Sequence, residues 1–153
     1  MIIRKALDTE KDCNLVFSLS NDPLVRSVSF NQNKIEYSNH IKWYKNAVKN
    51  DNILFLLVFD DDTENNFIGQ IRFNREEKTS NECIISLSIT EKFRGKGIGN
   101  QFMQSGIEML HNQWKDIKTI IAEVKADNIA SNKLFIKEGF ELKSSVNTYK
   151  KEI

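Results

Sequence analysis

The sequence predicts an α/β (α+β) fold: a mixed, mostly antiparallel twisted sheet with one central parallel strand pair and helices on both faces. Three observations carry this. Three strand-length segments, residues 53–59, 67–73 and 83–89, follow one another at meander spacing. Beyond them strand and helix alternate, and near residue 97 the hydrophobic period switches from two to about 3.6. A strand that feeds a helix and returns to a strand sets the two strands parallel, through a right-handed crossover.

The elements follow in order. Ile2 to Ala6 is a short strand. Thr9, with Asp12 three positions later, makes a capping-box-like start for a helix bearing Leu15, Val16 and Leu19. Asn21-Asp22-Pro23 reads as a turn. Tyr37, Ile41, Tyr44 and Val48 recur as the apolar face of a second helix. Ile53 to Phe59 is continuously apolar, as for a strand covered on both faces. The acidic stretch Asp60 to Asn66 is a solvated hairpin loop. Phe67, Gly69, Ile71 and Phe73 alternate with Gln70 and Arg72 in a half-buried strand, and Cys83, Ile85, Leu87 and Ile89 alternate with Ser86 and Ser88 in another. Ile98, Phe102, Met103, Ile107, Leu110 and Trp114 trace the apolar stripe of a helix starting near Gly97. Thr119 to Val124 is strand-like, Ile129 to Lys137 helical, and Gly139-Phe140 opens a last strand-rich segment.

Composition narrows the function classes. The 153 residues read as one domain, 1–153, with no linker, repeat or low-complexity tract. Lys plus Arg number 22 against 21 acidic residues, so charge gives no reason to expect nucleic acid. Cys13 and Cys83 are too few and too far apart for a disulfide framework or a metal site, and read as small buried residues. No apolar run approaches the roughly 20 residues of a membrane helix, and the N-terminus lacks a signal-peptide pattern, so the chain reads as cytoplasmic, without a membrane partner.

The stretch that carries chemistry joins a strand to a long helix: Thr90-Glu91-Lys92-Phe93-Arg94-Gly95-Lys96-Gly97-Ile98-Gly99. Glycines at alternate positions leave the turn's backbone N–H groups open, and the start of the helix adds its dipole, which suits a pyrophosphate. A phosphate-binding Walker loop is excluded, because Gly97 stands where that pattern needs Ser or Thr. The dinucleotide fingerprint also fails, since its third glycine would come one residue early.

Arg94, Gly97 and Gly99 in the order Arg-x-x-Gly-x-Gly resemble the acetyl-CoA motif of the GCN5-related N-acetyltransferases. The segment Asn128 to Phe140, closing in Gly139-Phe140, is similar to that family's asparagine-led helix, and Ile3 to Asp12 resembles its opening. The resemblance implies acetyl-CoA as cosubstrate, lying between parallel strands that splay around it, with no metal. It implies cofactor contacts from Leu87, Ile89, Arg94, Gly95, Lys96, Gly97, Ile98, Gly99, Asn128, Ser131 and Phe135. Asn128 also reads as a plain helix cap. By the same resemblance an amine attacks the thioester directly, and the N–H of Ile89 or a neighbour polarises the carbonyl. Homodimers are common in that family, which makes a second copy of the chain a candidate partner.

An amine with an ordinary pKa of about 10.4 needs a base to remove its proton. Glu82 is near where relatives carry a glutamate, yet it falls one residue out of register and also reads as a solvated strand-edge residue. Ser86 and Ser88 are candidates to hold a catalytic water, or simply line a polar face. Relatives place a tyrosine acid seven residues after the asparagine, where this chain has Phe135; Tyr149 is the candidate substitute.

On the acceptor side, Asn21 to Arg26, Ser29-Phe30, His40 and Trp43 resemble a branch that includes ribosomal-protein acetyltransferases and enzymes of nucleotide-linked amino sugars, and Phe30 and Glu36 are further acceptor candidates. Glu36, His40 and Trp43 share a helical face distinct from the apolar stripe, suited to a sugar or amine; the alternative is that Trp43 packs and the others are solvated. Arg26 suits a substrate phosphate, or a carboxylate within the fold. Three functions remain: acetyl transfer to a small amine such as a nucleotide-linked amino sugar, acetylation of a protein N-terminus or lysine, and a non-catalytic acyl-CoA-binding module.

Overall fold

The computed structural model describes residues 1–61, 63–142 and 147–153. In chain order the elements are β1 (Ile2–Lys5), α1 (Glu10–Ser20), α2 (Pro23–Val28), α3 (Tyr37–Lys49), β2 (Ile53–Phe59), β3 (Phe67–Asn74), β4 (Glu82–Ile89), α4 (Gly99–Gln113), β5 (Thr119–Glu123), α5 (Ile129–Lys137), β6 (Glu141–Leu142) and β7 (Thr148–Glu152). They form one sheet in the order β1-β2-β3-β4-β5-β7-β6. Every neighbouring pair is antiparallel except β4 with β5, as the alternation of elements predicts.

The continuous apolar run of β2 is buried on both faces. Leu54, Leu56 and Val58 join one core with Phe102, Met103 and Leu110 of α4 and Phe135 of α5. Phe55, Leu57 and Phe59 join a second core with Cys13 and Val16 of α1 and Tyr44 and Ala47 of α3. Helices therefore cover both faces of the sheet.

Local chemistry accounts for most element boundaries. Thr9 caps α1 by accepting from the Asp12 N–H, at 3.3 Å. The reciprocal half of a capping box is missing, because the Asp12 carboxylate takes Leu7 N–H and a bidentate contact from Arg4 instead. Arg4 also binds Glu64, so the hairpin loop between β2 and β3 is tied to the fold through one of its acids; Asp62 lies outside the described residues. The expected turn at Asn21-Asp22-Pro23 opens a short helix: Asp22 accepts from the N–H groups of Leu24 and Val25, and Pro23 stands at its first position.

Two expectations about faces are corrected. β3 is not half-buried: Gln70 is itself buried, and a bulge alters the alternation. Phe59 pairs with Phe67 while Val58 pairs with Gly69, so Ile68 is the extra residue. Phe67 consequently turns to the α1–α3 side, its ring 5.6 Å from Phe59. On α3 the buried stripe is His40, Tyr44 and Ala47; Tyr37 and Ile41 are exposed. The helix is rotated because the Tyr44 hydroxyl donates to Leu7 O and His40 Nε2 reaches Cys13 O, both within reach only from that face.

His40 is therefore a core residue, and burial pushes its imidazole below the ordinary value near 6.5, against a smaller opposing effect of the Cys13 carbonyl. The unfolded chain takes up a proton there that the folded chain refuses, so stability is full above about 6.5 and declines as pH falls below it. His40→Gln keeps a donor for Cys13 and does not titrate. Denaturation midpoints at pH 7.5 and 5.5 should differ less in this variant than in the wild type; an equal difference in both would assign the acid decline to other groups.

Candidate active site

The site forms where β4 and β5 part. Their parallel ladder pairs Glu82 with Thr119, Cys83 with Ile120 and Ile84 with Ile121, then stops, although β4 continues to Ile89 and β5 to Glu123. β4 remains bound to β3 on its other side up to Ile89. Thr90 N–H donates to Ile68 O across that ladder. Strand alternation then turns the N–H of Ile89 the opposite way, into the gap.

At the mouth of the gap lies the glycine turn. Gly95 and Gly97 have φ of +69° and +74°, a region that favours glycine. A Cβ at either would meet nothing within 4 Å, so the space in front of them is open. Gly99 serves a different purpose: its missing side chain lets α4 approach Leu134 of α5, whose Cδ1 would lie 3.1 Å from a Cβ. α4 begins at Gly99, two residues later than its apolar stripe suggests, and no side chain caps it. The backbone N–H groups of residues 95–101 have no partner among the described residues. This open cradle fits a pyrophosphate, and the parted strands fit the extended arm that follows it in acetyl-CoA.

The turn and gap open into a cleft of about 780 Å³. Leu87, Ile89, Arg94, Gly95, Lys96, Gly97, Ile98, Gly99, Asn128, Ser131 and Phe135 all line it. Asn128 is the N-cap of α5, accepting from Ser131 N–H. Arg94 does not reach toward the turn's open space. Its Nε donates to Ile89 O at 2.8 Å and its second nitrogen lies 2.9 Å from Asp22 Oδ1. It is a brace that pins the free end of β4 to the start of α2. Burial raises the Asp22 carboxyl, but the bond from Arg94 and the N–H groups of Val25 and Leu24 outweigh it and hold Asp22 below the ordinary range.

The catalytic and acceptor candidates are partly brought together. Ser86 and Ser88 line the cleft, on the sheet face opposite α4. Glu82 does not: it is exposed at the far end of β4, roughly 23 Å of strand from Ile89, so the base reading of Glu82 is corrected. Phe30 lines the cleft and is exposed. Arg26 borders it, but its guanidinium is spent on Ser20 O, Asn31 O, Asn33 O and Ser29 Oγ, holding the connection after α2 together. Glu36 is the exposed residue before α3 and Trp43 packs over Arg72, while His40 is buried, so the three do not make a shared open face. Tyr149 is buried with its hydroxyl donating to Asn132 Oδ1, and it does not line the cleft.

Three residues that sequence reasoning passed over stand on the Ser86–Ser88 face. Gln70 pairs with Ser88 and Arg72 with Ser86 across the β3–β4 ladder. Glu123, at the end of β5, lines the cleft and faces away from its buried neighbours Ala122 and Val124. Their signal was present as charged and amide residues inside apolar strands, but only the bulge and the parting of the strands show which side they occupy. Among the described residues no cluster of His, Cys, Asp or Glu could hold a metal, and no helix is long and apolar enough to cross a membrane.

Comparison with known proteins agrees with this geometry. Residues 1–141 match the family described as "Acetyltransferase (GNAT) domain". No curated protein matches the chain. Among solved structures, a domain from Methanocaldococcus jannaschii DSM 2661 is similar at 22% identity and TM-score 0.79, covering 99% of this chain and 97% of that one. The ribosomal-protein-alanine N-acetyltransferase of Brucella melitensis is similar at 20% identity and TM-score 0.77, covering 100% of both chains. The spermidine N-acetyltransferase of Vibrio cholerae, solved with CoA and spermine, is similar at 15% identity and TM-score 0.80, covering 99% of this chain and 92% of that one. With the family match running from the first strand to the sixth and the glycine turn at the parted strands, the chain belongs to the GNAT acetyltransferase family, whose members are acetyl-CoA-dependent N-acetyltransferases.

Proposed function

We propose that the chain acetylates the primary amine of a small acceptor bound on the Ser86–Ser88 face, with a nucleotide-linked amino sugar as the favoured class. The carrying observation is that the parted strands, the uncapped start of α4 and the Glu123 carboxylate all face one cleft. When bound, acetyl-CoA supplies an activated acetyl thioester. The N–H groups of residues 95–101 hold its pyrophosphate, and the Asn128 amide donates to the pantetheine arm. The Ile89 N–H is the donor for the carbonyl oxygen on which charge develops.

Glu123 is the base in this reading. It accepts the ammonium proton directly or through a water held by Ser86 and Ser88. No phenol is free to protonate the departing sulfur: Tyr37, Tyr44 and Tyr149 are each bonded to Asn14, Leu7 and Asn132 respectively, and Phe135 has no proton. A thiol of ordinary pKa about 8.5 is a fair leaving group without one. The sugar-nucleotide preference is supported by Phe30, 69% exposed at the cleft mouth with a free ring face, and by the cation of Arg72 deeper in.

Thiol release with acetyl-CoA and a panel of amino sugars, polyamines and peptides tests the proposal. Glu123→Gln is expected to lower kcat roughly 100- to 1000-fold, with acetyl-CoA binding unchanged. A kcat within threefold of wild type removes Glu123 from the role. Turnover of peptides alone would move the acceptor to a protein N-terminus or lysine.

A further inference from the structure

Arg72 lines the cleft and has no ion-pair partner among the described residues. Its Nε is shielded from solvent and bonds to nothing among the described residues. The guanidinium lies 4.9 Å from the Trp43 ring centre and 5.6 Å from that of Phe55, so two aromatic rings are its neighbours. Such contacts offset part of the cost of burying the charge, but they leave its N–H groups unused. The rings also hold the fork in one orientation, which is what bidentate recognition of a carboxylate or phosphate requires.

The neighbouring position repeats the pattern. Gln70, two residues earlier on the same strand face, is only 6% exposed, and its amide oxygen also lacks a partner among the described residues. A buried orphaned acceptor beside a shielded orphaned donor is costly unless a ligand completes both. Gln70 is level with Ser88, next to the open Ile89 end of the gap; Arg72 is level with Ser86, one step closer to the last paired residues, Ile84 and Ile121. An amine donating to Gln70 is therefore on the transfer side, and an anion on Arg72 is on the inner side.

We infer that Gln70 and Arg72 form an acceptor subsite for a compact amine that carries its own anionic group, a carboxylate or a phosphate, about 7 Å from the amine nitrogen. This deepens the proposed transfer reaction and rests on it for the direction in which the acceptor lies. The subsite selects against polyamines and neutral amines, because these leave the guanidinium buried and unanswered.

The test uses matched pairs with the whole chain. One arm compares five- and six-carbon ω-amino acids, whose extended chains span the required separation, with their amides; the other compares nucleotide-linked amino sugars and amino-sugar 1-phosphates with the free amino sugars. Acetylation is read by thiol release, and binding to the CoA-loaded protein by calorimetry. The anionic member of at least one arm is expected to be favoured about 100-fold in kcat/KM and in Kd. Arg72→Gln should erase that preference mainly through KM, whereas Arg72→Lys restores part of it. Which arm shows the preference identifies the anion as carboxylate or phosphate. Equal handling of charged and neutral members by the wild type overturns the subsite whether or not either variant folds, as does an unchanged preference in folded Arg72→Gln. If no amine is acetylated, calorimetry decides the subsite by the same criteria, and the transfer reading fails separately.

Discussion

Gly97→Val is expected to abolish the rise in Tm that acetyl-CoA produces, while the protein still folds. For the wild type at about 100 Kd of ligand, binding adds roughly 2.7 kcal/mol, or some 5–10 °C for a chain of this size. At φ +74° a β-branched residue costs about 1–2 kcal/mol, so the ligand-free Tm falls by only a few degrees. No neighbour stands within 4 Å to clash with a new Cβ, which separates this position from a packing glycine. The damage falls on the ligand side, where a side chain or a relaxed φ withdraws the N–H groups from the phosphates. An acetyl-CoA shift of wild-type size in this variant would mean that the turn at 94–99 does not hold the cofactor.

The largest loss of stability is expected at Gly69. A Cβ there would lie 2.1 Å from Ser88 O and 3.1 Å from both Ile89 Cα and Phe102 Cζ. Two of those contacts are backbone, which cannot rotate away. Gly69→Val must force apart β3 and β4 at the pair Gly69–Ile89, or expel Phe102 from the core. Either route should cost about 3–5 kcal/mol, read as a shift in the urea midpoint. Gly106 provides the contrast: its Cβ would meet Ile71 Cδ1 at 2.6 Å, the end of a flexible side chain, so Gly106→Ala is expected to cost distinctly less. A Gly69→Val loss below 1 kcal/mol would show that the ladder next to the Ile89 N–H yields easily.

Both predictions concern glycines, and the sequence ranked them unevenly. Gly95 and Gly97 were legible because their role is local: a strand ends, a helix begins, and the chain between must adopt left-handed backbone conformations. Gly69 was legible only as a residue in a strand. That it sits under the carbonyl of Ser88 follows from the bulge at Ile68, which no local pattern signals. Arg94 shows the same divide. Its motif position was readable, yet its guanidinium braces β4 to Asp22, the N-cap of α2, 72 positions earlier in the chain.

The acceptor side was the least legible, for a related reason. The step of three and four along residues 37–48 is compatible with more than one buried stripe, and polar atoms chose between them. Tyr44 and His40 find backbone carbonyls on the α1 side, so they go in and Ile41 stays out. Glu82 and Glu123 are both glutamates at strand ends, but one stands where β4 and β5 are paired and the other where they have separated.

The order of the elements, the parallel strand pair and the glycine turn are legible along the chain, since each depends on residues adjacent in it. The gathering of Gln70, Arg72, Ser86, Ser88 and Glu123 in one cleft is a property of the assembled sheet. They lie on three strands, and which side of the sheet each side chain occupies is set by register, a bulge and the point where a ladder ends; a shift of one residue in any of these reverses the face.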